Sequence, residues 1–332
     1  MRLMRLLRGA VVGLAAATGA GCGADRSGIT NPGAPPAPTH VRLQSDAGDR
    51  VGQGRSYDYT QSNAVVTVSQ VGTRLSFHIQ GDQSWYGEFQ FPGGTSQIRP
   101  GTYTGLQGYD PAKGWLRWFS DLGSSCYTPT GSFTVDSVTY VTDSLAMVDL
   151  RFEQRCEGAT AALHGSVHWR ADDPTRPPGP ITPIPAELWQ PPAGSAPPST
   201  IYVYLQSDPN DYIGAGRSYT LTPKDAGISV RADGGHLIVT AGGWTGDFQA
   251  MSPLSRIEPG YYPGLRRYPF HNPAKGGLDW SGNGNGCNAL SGWFAVDRIT
   301  YVGNGIKTLD LRFEQHCEGA APALRGVIHW AI

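Results

Sequence analysis

Along much of this chain the apolar positions recur with a period of two. Leu75-Ser76-Phe77-His78-Ile79 and Ile228-Ser229-Val230 are such runs, and Val65 with Val68 and Leu237-Ile238-Val239 also read as strands. Thr308 to Glu314 alternates cleanly: Leu309, Leu311 and Phe313 fall on one face, and Asp310, Arg312 and Glu314 on the other. This is the pattern of strands with one buried side. Asp233-Gly234 and Asn304-Gly305 separate successive runs and suit type I′ hairpin turns, which need φ > 0. No window of a dozen residues combines helical spacing with caps.

The pattern is written twice. Leu43-Gln44-Ser45-Asp46 returns as Leu205-Gln206-Ser207-Asp208, and Pro111-Ala112-Lys113-Gly114 as Pro273-Ala274-Lys275-Gly276. Asp149-Leu150-Arg151-Phe152-Glu153-Gln154 matches Asp310-Leu311-Arg312-Phe313-Glu314-Gln315, each followed by Cys-Glu-Gly and a closing His-Trp. Two homologous modules are therefore expected, 41–170 and 201–332, each an antiparallel β-sandwich or jelly roll of roughly eight to ten strands. Residues 171–200 hold ten prolines and no alternation, so a semi-rigid spacer with no fold of its own is expected there. Leu188-Trp189 is where that spacer would dock on a module.

Composition agrees with an all-β chain and narrows its partners. Charged residues are 16% of the 332 positions, while 45 glycines and 26 prolines fill more than a fifth of them. With 26 basic and 27 acidic side chains there is no basic excess for nucleic acid. Arg2, Arg5 and Arg8 precede a small-residue run from Gly9 to Ala20, which reads as a signal peptide over 1–21. A flexible tether over 22–40 follows. Gly19-Ala20-Gly21-Cys22 resembles the lipobox of bacterial lipoproteins, with Gly19 where Leu is usual. The resemblance implies a lipidated Cys22 and a membrane anchor; plain secretion is the alternative.

Four cysteines remain, and the 30-residue spacing is the same in both copies. Equal spacing favours Cys126–Cys156 and Cys287–Cys317 over the two other pairings. An exported chain makes their oxidation natural.

Three residue sets could carry chemistry. Asp310 and Glu314, like Asp149 and Glu153, suggest a carboxylate pair for glycan hydrolysis. Asp310 and Glu314 lie about 13 Å apart along a strand at ~3.3 Å per residue, too far for the 5–9.5 Å such a pair needs. A solvated face with cross-strand ion pairs accounts for them. Asp208 and Asp211, on a loop matching Asp46 and Asp49, could hold calcium, or could serve the turn itself. The third set is aromatic and amide-rich: Tyr262, Arg266, Tyr268, Phe270 and His271, then Asn283 and Asn285. Rings beside amides on loops are what sugar-binding surfaces use. In the first copy Pro269-Phe270-His271-Asn272 is shortened to Asp110, so the second module is expected to bind more strongly.

Asp211 to Gly216, Arg267 to Leu278 and Leu311 to Gly319 together resemble a module of secreted bacterial proteins, often an accessory C-terminal domain. The resemblance covers both copies and implies architecture and export, with no particular chemistry. The expectation is an exported, non-catalytic protein that binds carbohydrate or another envelope component. A structural or protein-docking role and a glycan hydrolase are the alternatives.

Overall fold

In a computed structural model, which describes residues 36–93, 97–110, 112–121 and 125–332, the alternating runs form twenty strands and no helix among the described residues. The first half contains β1 (His40–Ser45), β2 (Ser56–Thr60), β3 (Val65–Val71), β4 (Arg74–Gln80), β5 (Ser84–Gln90), β6 (Gly101–Gln107), β7 (Trp115–Ser120), β8 (Thr130–Val141), β9 (Ser144–Arg155) and β10 (Ala162–Arg170). The second contains β11 (Ile201–Ser207), β12 (Ser218–Leu221), β13 (Ile228–Asp233), β14 (His236–Ala241), β15 (Trp244–Gln249), β16 (Gly260–Arg267), β17 (Gly277–Gly282), β18 (Leu290–Val302), β19 (Gly305–Cys317) and β20 (Ala323–Ala331).

Each half is a sandwich. In the first, a six-stranded sheet, β2-β1-β10-β9-β8-β6, faces a four-stranded sheet, β3-β4-β5-β7. The second repeats both, but β16 and β17 pair in parallel at Arg266↔Gly277 and Arg267↔Leu278, joining them into one ten-stranded sheet. Between the layers, Trp118 stacks on Phe152 at 4.7 Å and Trp280 on Phe313 at 5.0 Å. Glycines make room for these rings: a Cβ at Gly87 would lie 2.3 Å from the Trp118 ring, and one at Gly246 2.2 Å from Trp280.

Beside the tryptophans, each module buries a glutamine. Gln154 alternates with Phe152 and so points into the sandwich. It reaches across to the free side of β7, where the Trp118 N–H donates to its Oε1 (2.6 Å) and its Nε2 donates to the Trp118 carbonyl (2.9 Å). Gln315 does the same at Trp280, with distances of 2.9 and 2.8 Å. The disulfides lie alongside as the spacing implies, Cys126–Cys156 and Cys287–Cys317. They indicate an oxidising, extracytoplasmic setting. Among the described residues, no helix is long and apolar enough to cross a membrane.

The signal segment 1–21 and Cys22 lie outside the described residues, as does most of the tether. The end of that tether belongs to the module: the buried Thr39 donates its N–H to Asp173 (2.7 Å), and His40 opens β1.

The proline-rich stretch is a strap and not a bare spacer. Ile181 and Tyr261 exchange two backbone hydrogen bonds of 2.9 Å. Arg312, bonded in two places to Asp297, gives a third N–H to the Trp189 carbonyl at 2.7 Å. Tyr261, Ala295 and Arg312 form one cross-strand row on the outer face, and Ala295 and Arg312 are buried there. The matching row of the first module is Thr102, Thr134 and Arg151, with Arg151 paired to Asp136 at the surface. Apolar and aromatic replacements in the second copy thus give the strap a dry seat.

Candidate functional site

The outer face of the four-stranded sheet in the first module is built in rows. Strand pairing aligns Thr67, His78, Tyr86 and Phe119 across β3, β4, β5 and β7. The next row, two residues along each strand, is Ser69, Ser76, Glu88 and Arg117. All are outward by alternation, because their neighbours Leu75, Phe77, Phe89 and Trp118 are core residues. Tall rings in one row and small hydroxyls in the next leave a groove of about 320 Å³, lined by these eight side chains with Phe77 and Gly87.

The ridge is a continuous stack. His78 lies against Tyr86 at 4.4 Å and 13°, and Tyr86 against Phe119 at 5.0 Å and 15°. The Arg117 guanidinium closes the end, 4.6 Å from the Phe119 centroid. Burial lowers the His78 pKa, which keeps its ring neutral for stacking at pH 7. The ring faces are therefore spent on one another, and the ridge offers its edges to a ligand in the groove. Glu88 and Arg117 stand directly opposite yet form no ion pair, and Arg117 Nε is buried without a hydrogen-bond partner.

In the second module the same face is rebuilt and partly covered. Aligned strand by strand, Thr240, Thr245 and Ser281 replace His78, Tyr86 and Phe119, while Asp247 and Asp279 replace Glu88 and Arg117. The ridge is gone, and the two carboxylates face each other. His236 Nε2 lies 2.8 Å from Asp247, and Arg267 lies 3.8 Å from Asp279, whose pKa burial raises. Three extra residues, Pro269-Phe270-His271, fold back over this ground. Tyr268 stacks on His236 (4.3 Å) and His271 (5.5 Å). Gly277 replaces Trp115, and the His271 ring fills the space above it, 2.7 Å from where a Cβ would be. The insertion is a plug.

Most residues expected at a second-module binding surface have other work. Tyr262 is 0% exposed, and its hydroxyl accepts from the Glu258 N–H and donates to the Glu258 carbonyl, so it is core and cannot touch a ligand. Arg266 donates to the Asp82 carbonyl of the first module at 2.5 Å. Tyr268 and His271 belong to the plug. Asn283 sits in a turn at φ 52°, and Asn285 donates to the Tyr212 carbonyl at 3.2 Å. Arg266 and Asn283 are exposed, and Phe270, 75% exposed beside Arg267, is the one ring of the set offered to solvent.

The flank of the plug grips the first module. Asn272 donates to the Asn63 carbonyl (2.9 Å) and to Asp82 Oδ1 (3.0 Å), and Lys275 pairs with Asp82 Oδ2 at 2.7 Å. Residues 38–332 accordingly form one compact unit. Burial raises the Asp82 pKa, but hydrogen bonds from Asn272 and Lys275 and the charges of Lys275 and Arg266 outweigh it, leaving the group below its ordinary value. The carboxylate's share of the clamp is therefore complete above the free aspartate value near ~3.9 and is lost as pH falls through the lower, folded value, while the bonds to the Asn63 and Asp82 carbonyls do not titrate. Small-angle scattering should show the radius of gyration growing in that acid range, and Asp82→Ala should show the same growth at pH 7. A compact variant at neutral pH would mean the Asp82 carboxylate is not what holds the modules.

The carboxylates proposed for calcium already have protein partners. Asp211 accepts from Ser207 Oγ (2.7 Å) and from the Ile213 and Gly214 N–H groups. Asp208 pairs with Arg325 at 2.7 Å and accepts from the Ala323 N–H. They shape the loop, and no group of three metal-ligating side chains occurs among the described residues. The strand carboxylates form cross-strand pairs: Asp310 with His329 and Arg298, and Glu314 with Arg325.

Sequence reasoning missed the groove. The available signal was the contrast between copies, with rings at His78, Tyr86 and Phe119 matched by Thr, Thr and Ser. No family model matches the chain, and no curated protein or solved structure matches it, so its function must be read from its own side chains.

Proposed function

We propose that this chain is a non-catalytic glycan-binding protein of the bacterial envelope, and that the ligand lies in the open groove of the first module. One observation carries the reading: the two copies share a fold, yet only the first leaves a ridge-and-hydroxyl groove uncovered with an unpaired Glu88 and Arg117. Sugars present C–H groups and hydroxyls together. The ridge edges suit the former, and Ser69, Ser76, Glu88 and Arg117 suit the latter. Among the described groove residues Glu88 is the only carboxylate, whereas glycosidase chemistry commonly uses two at about 5–9.5 Å. That favours binding without turnover. The second module, strapped on one face and plugged on the other, serves as a base. Anchoring through a lipidated Cys22 would hold this base at a membrane.

The test is a glycan array followed by calorimetry on the full chain. Tyr86→Ala, which breaks the stack at its centre, should weaken binding about five- to thirtyfold, matching the loss of ~1–2 kcal/mol. Phe270→Ala should leave affinity unchanged. Release of shortened products, or an unaffected Tyr86→Ala variant that remains folded, would refute the reading.

A further inference from the structure

The charges of the groove narrow the ligand further, on the strength of the glycan reading. We infer that it takes a sugar chain bearing carboxylates, a uronic-acid polymer, with the sugar carboxylate on Arg117 and neighbouring hydroxyls on Glu88, Ser69 and Ser76.

Arg117 carries the argument. Its register places it opposite Glu88, the obvious counter-ion, yet the guanidinium turns along the sheet onto Phe119 and forms no ion pair. One guanidinium N–H, at Nε, is shut away from water with no acceptor. Leaving a buried donor unmade is costly, and a planar fork held against a ring is poised for a planar carboxylate. Arg74 lies on the same face of β4, two residues from Ser76, and is exposed without an ion-pair partner among the described residues. The groove and its rim therefore hold two arginines and one glutamate.

The second copy reverses the charges of these positions. Asp279 replaces Arg117 and His236 replaces Arg74, and the two carboxylates there have His236 and Arg267 as partners beneath the plug. An unpaired guanidinium favours a carboxylate over a neutral hydroxyl, because a bidentate ionic pair adds charge to its two hydrogen bonds. Glu88 accepts paired hydroxyls and disfavours carboxylates at its own end, so one orientation of an alternating acid-and-diol surface fits.

The experiment compares galacturonate oligomers with the same oligomers methyl-esterified, using the full chain. The ester keeps the backbone and hydroxyls and removes the charge. The acid form should bind at least about tenfold more tightly, and raising salt from about 0.05 to about 0.5 M should erase most of that difference. Arg117→Lys, which keeps the charge and loses the fork, should lose affinity for the acid and not for the ester. Arg117→Ala should bring the two ligands level, with thermal unfolding as the control for folding. Equal binding of acid and ester by the unaltered protein would overturn the carboxylate assignment while leaving the glycan reading standing. Binding of neither of these, nor of any glycan on the array, would overturn both.

Discussion

Replacing Gln154 or Gln315 by Leu is expected to lower the unfolding free energy by about 2–4 kcal/mol, although each change puts an apolar side chain into an apolar core. The reason is the backbone it would desert. In the first module β7 has β5 on one side and no strand on the other, so the Trp118 N–H and C=O depend on the Gln154 amide. Leucine leaves both buried and unmade, at roughly 1–3 kcal/mol each, offset in part by its own burial. Urea unfolding should show a lower midpoint with an unchanged slope. A neutral or stabilising result would mean that the amide is tolerated in the core and does not tie the two sheets together.

Removing either disulfide as a Cys→Ala pair should cost about 3–4 kcal/mol, the chain-entropy value for closing a loop of this length. The two sites should respond alike, since both bonds span 30 residues. Gln154 Nε2 lies 3.7 Å from Cys126 Sγ, and Gln315 Nε2 4.0 Å from Cys287 Sγ. Combining the Gln and Cys changes in one module should therefore depart from additivity by at least about 0.5 kcal/mol, whereas combining them across modules should be additive. Thermal unfolding of the two sets of variants, oxidised and reduced, provides the measurement.

What could be read in the sequence was local. Alternation from Thr308 to Glu314 placed Leu309, Leu311 and Phe313 in the core, and equal cysteine spacing identified both disulfides. The duplication showed that one fold was repeated. Gln154 and Gln315 were visible at the apolar parity of that strand, but their role needs the opposite sheet. Ser69, Ser76, Glu88 and Arg117 each look like an ordinary solvated position, and only the register of four strands sets them in one row. The insertion Pro269-Phe270-His271 was also visible, but not that it would fold back over the outer face of its own sheet. His271 covers the face because Gly277 stands where the first module has Trp115, and neither change makes sense without the other. Tyr262 sits among glycines and prolines, as a loop residue would, yet β16 turns it inward over Phe294, where the rings stack at 4.2 Å.

Hydrogen–deuterium exchange of the full chain with and without a bound galacturonate oligomer tests the central claim most directly, because it reports both modules at once. Binding in the open groove predicts added protection in β3, β4, β5 and β7 around Ser69, Ser76, Glu88 and Arg117, and no change in β13, β14, β15 or the plug. Protection centred on Tyr268 to His271, with the first-module sheet unchanged, would contradict the account.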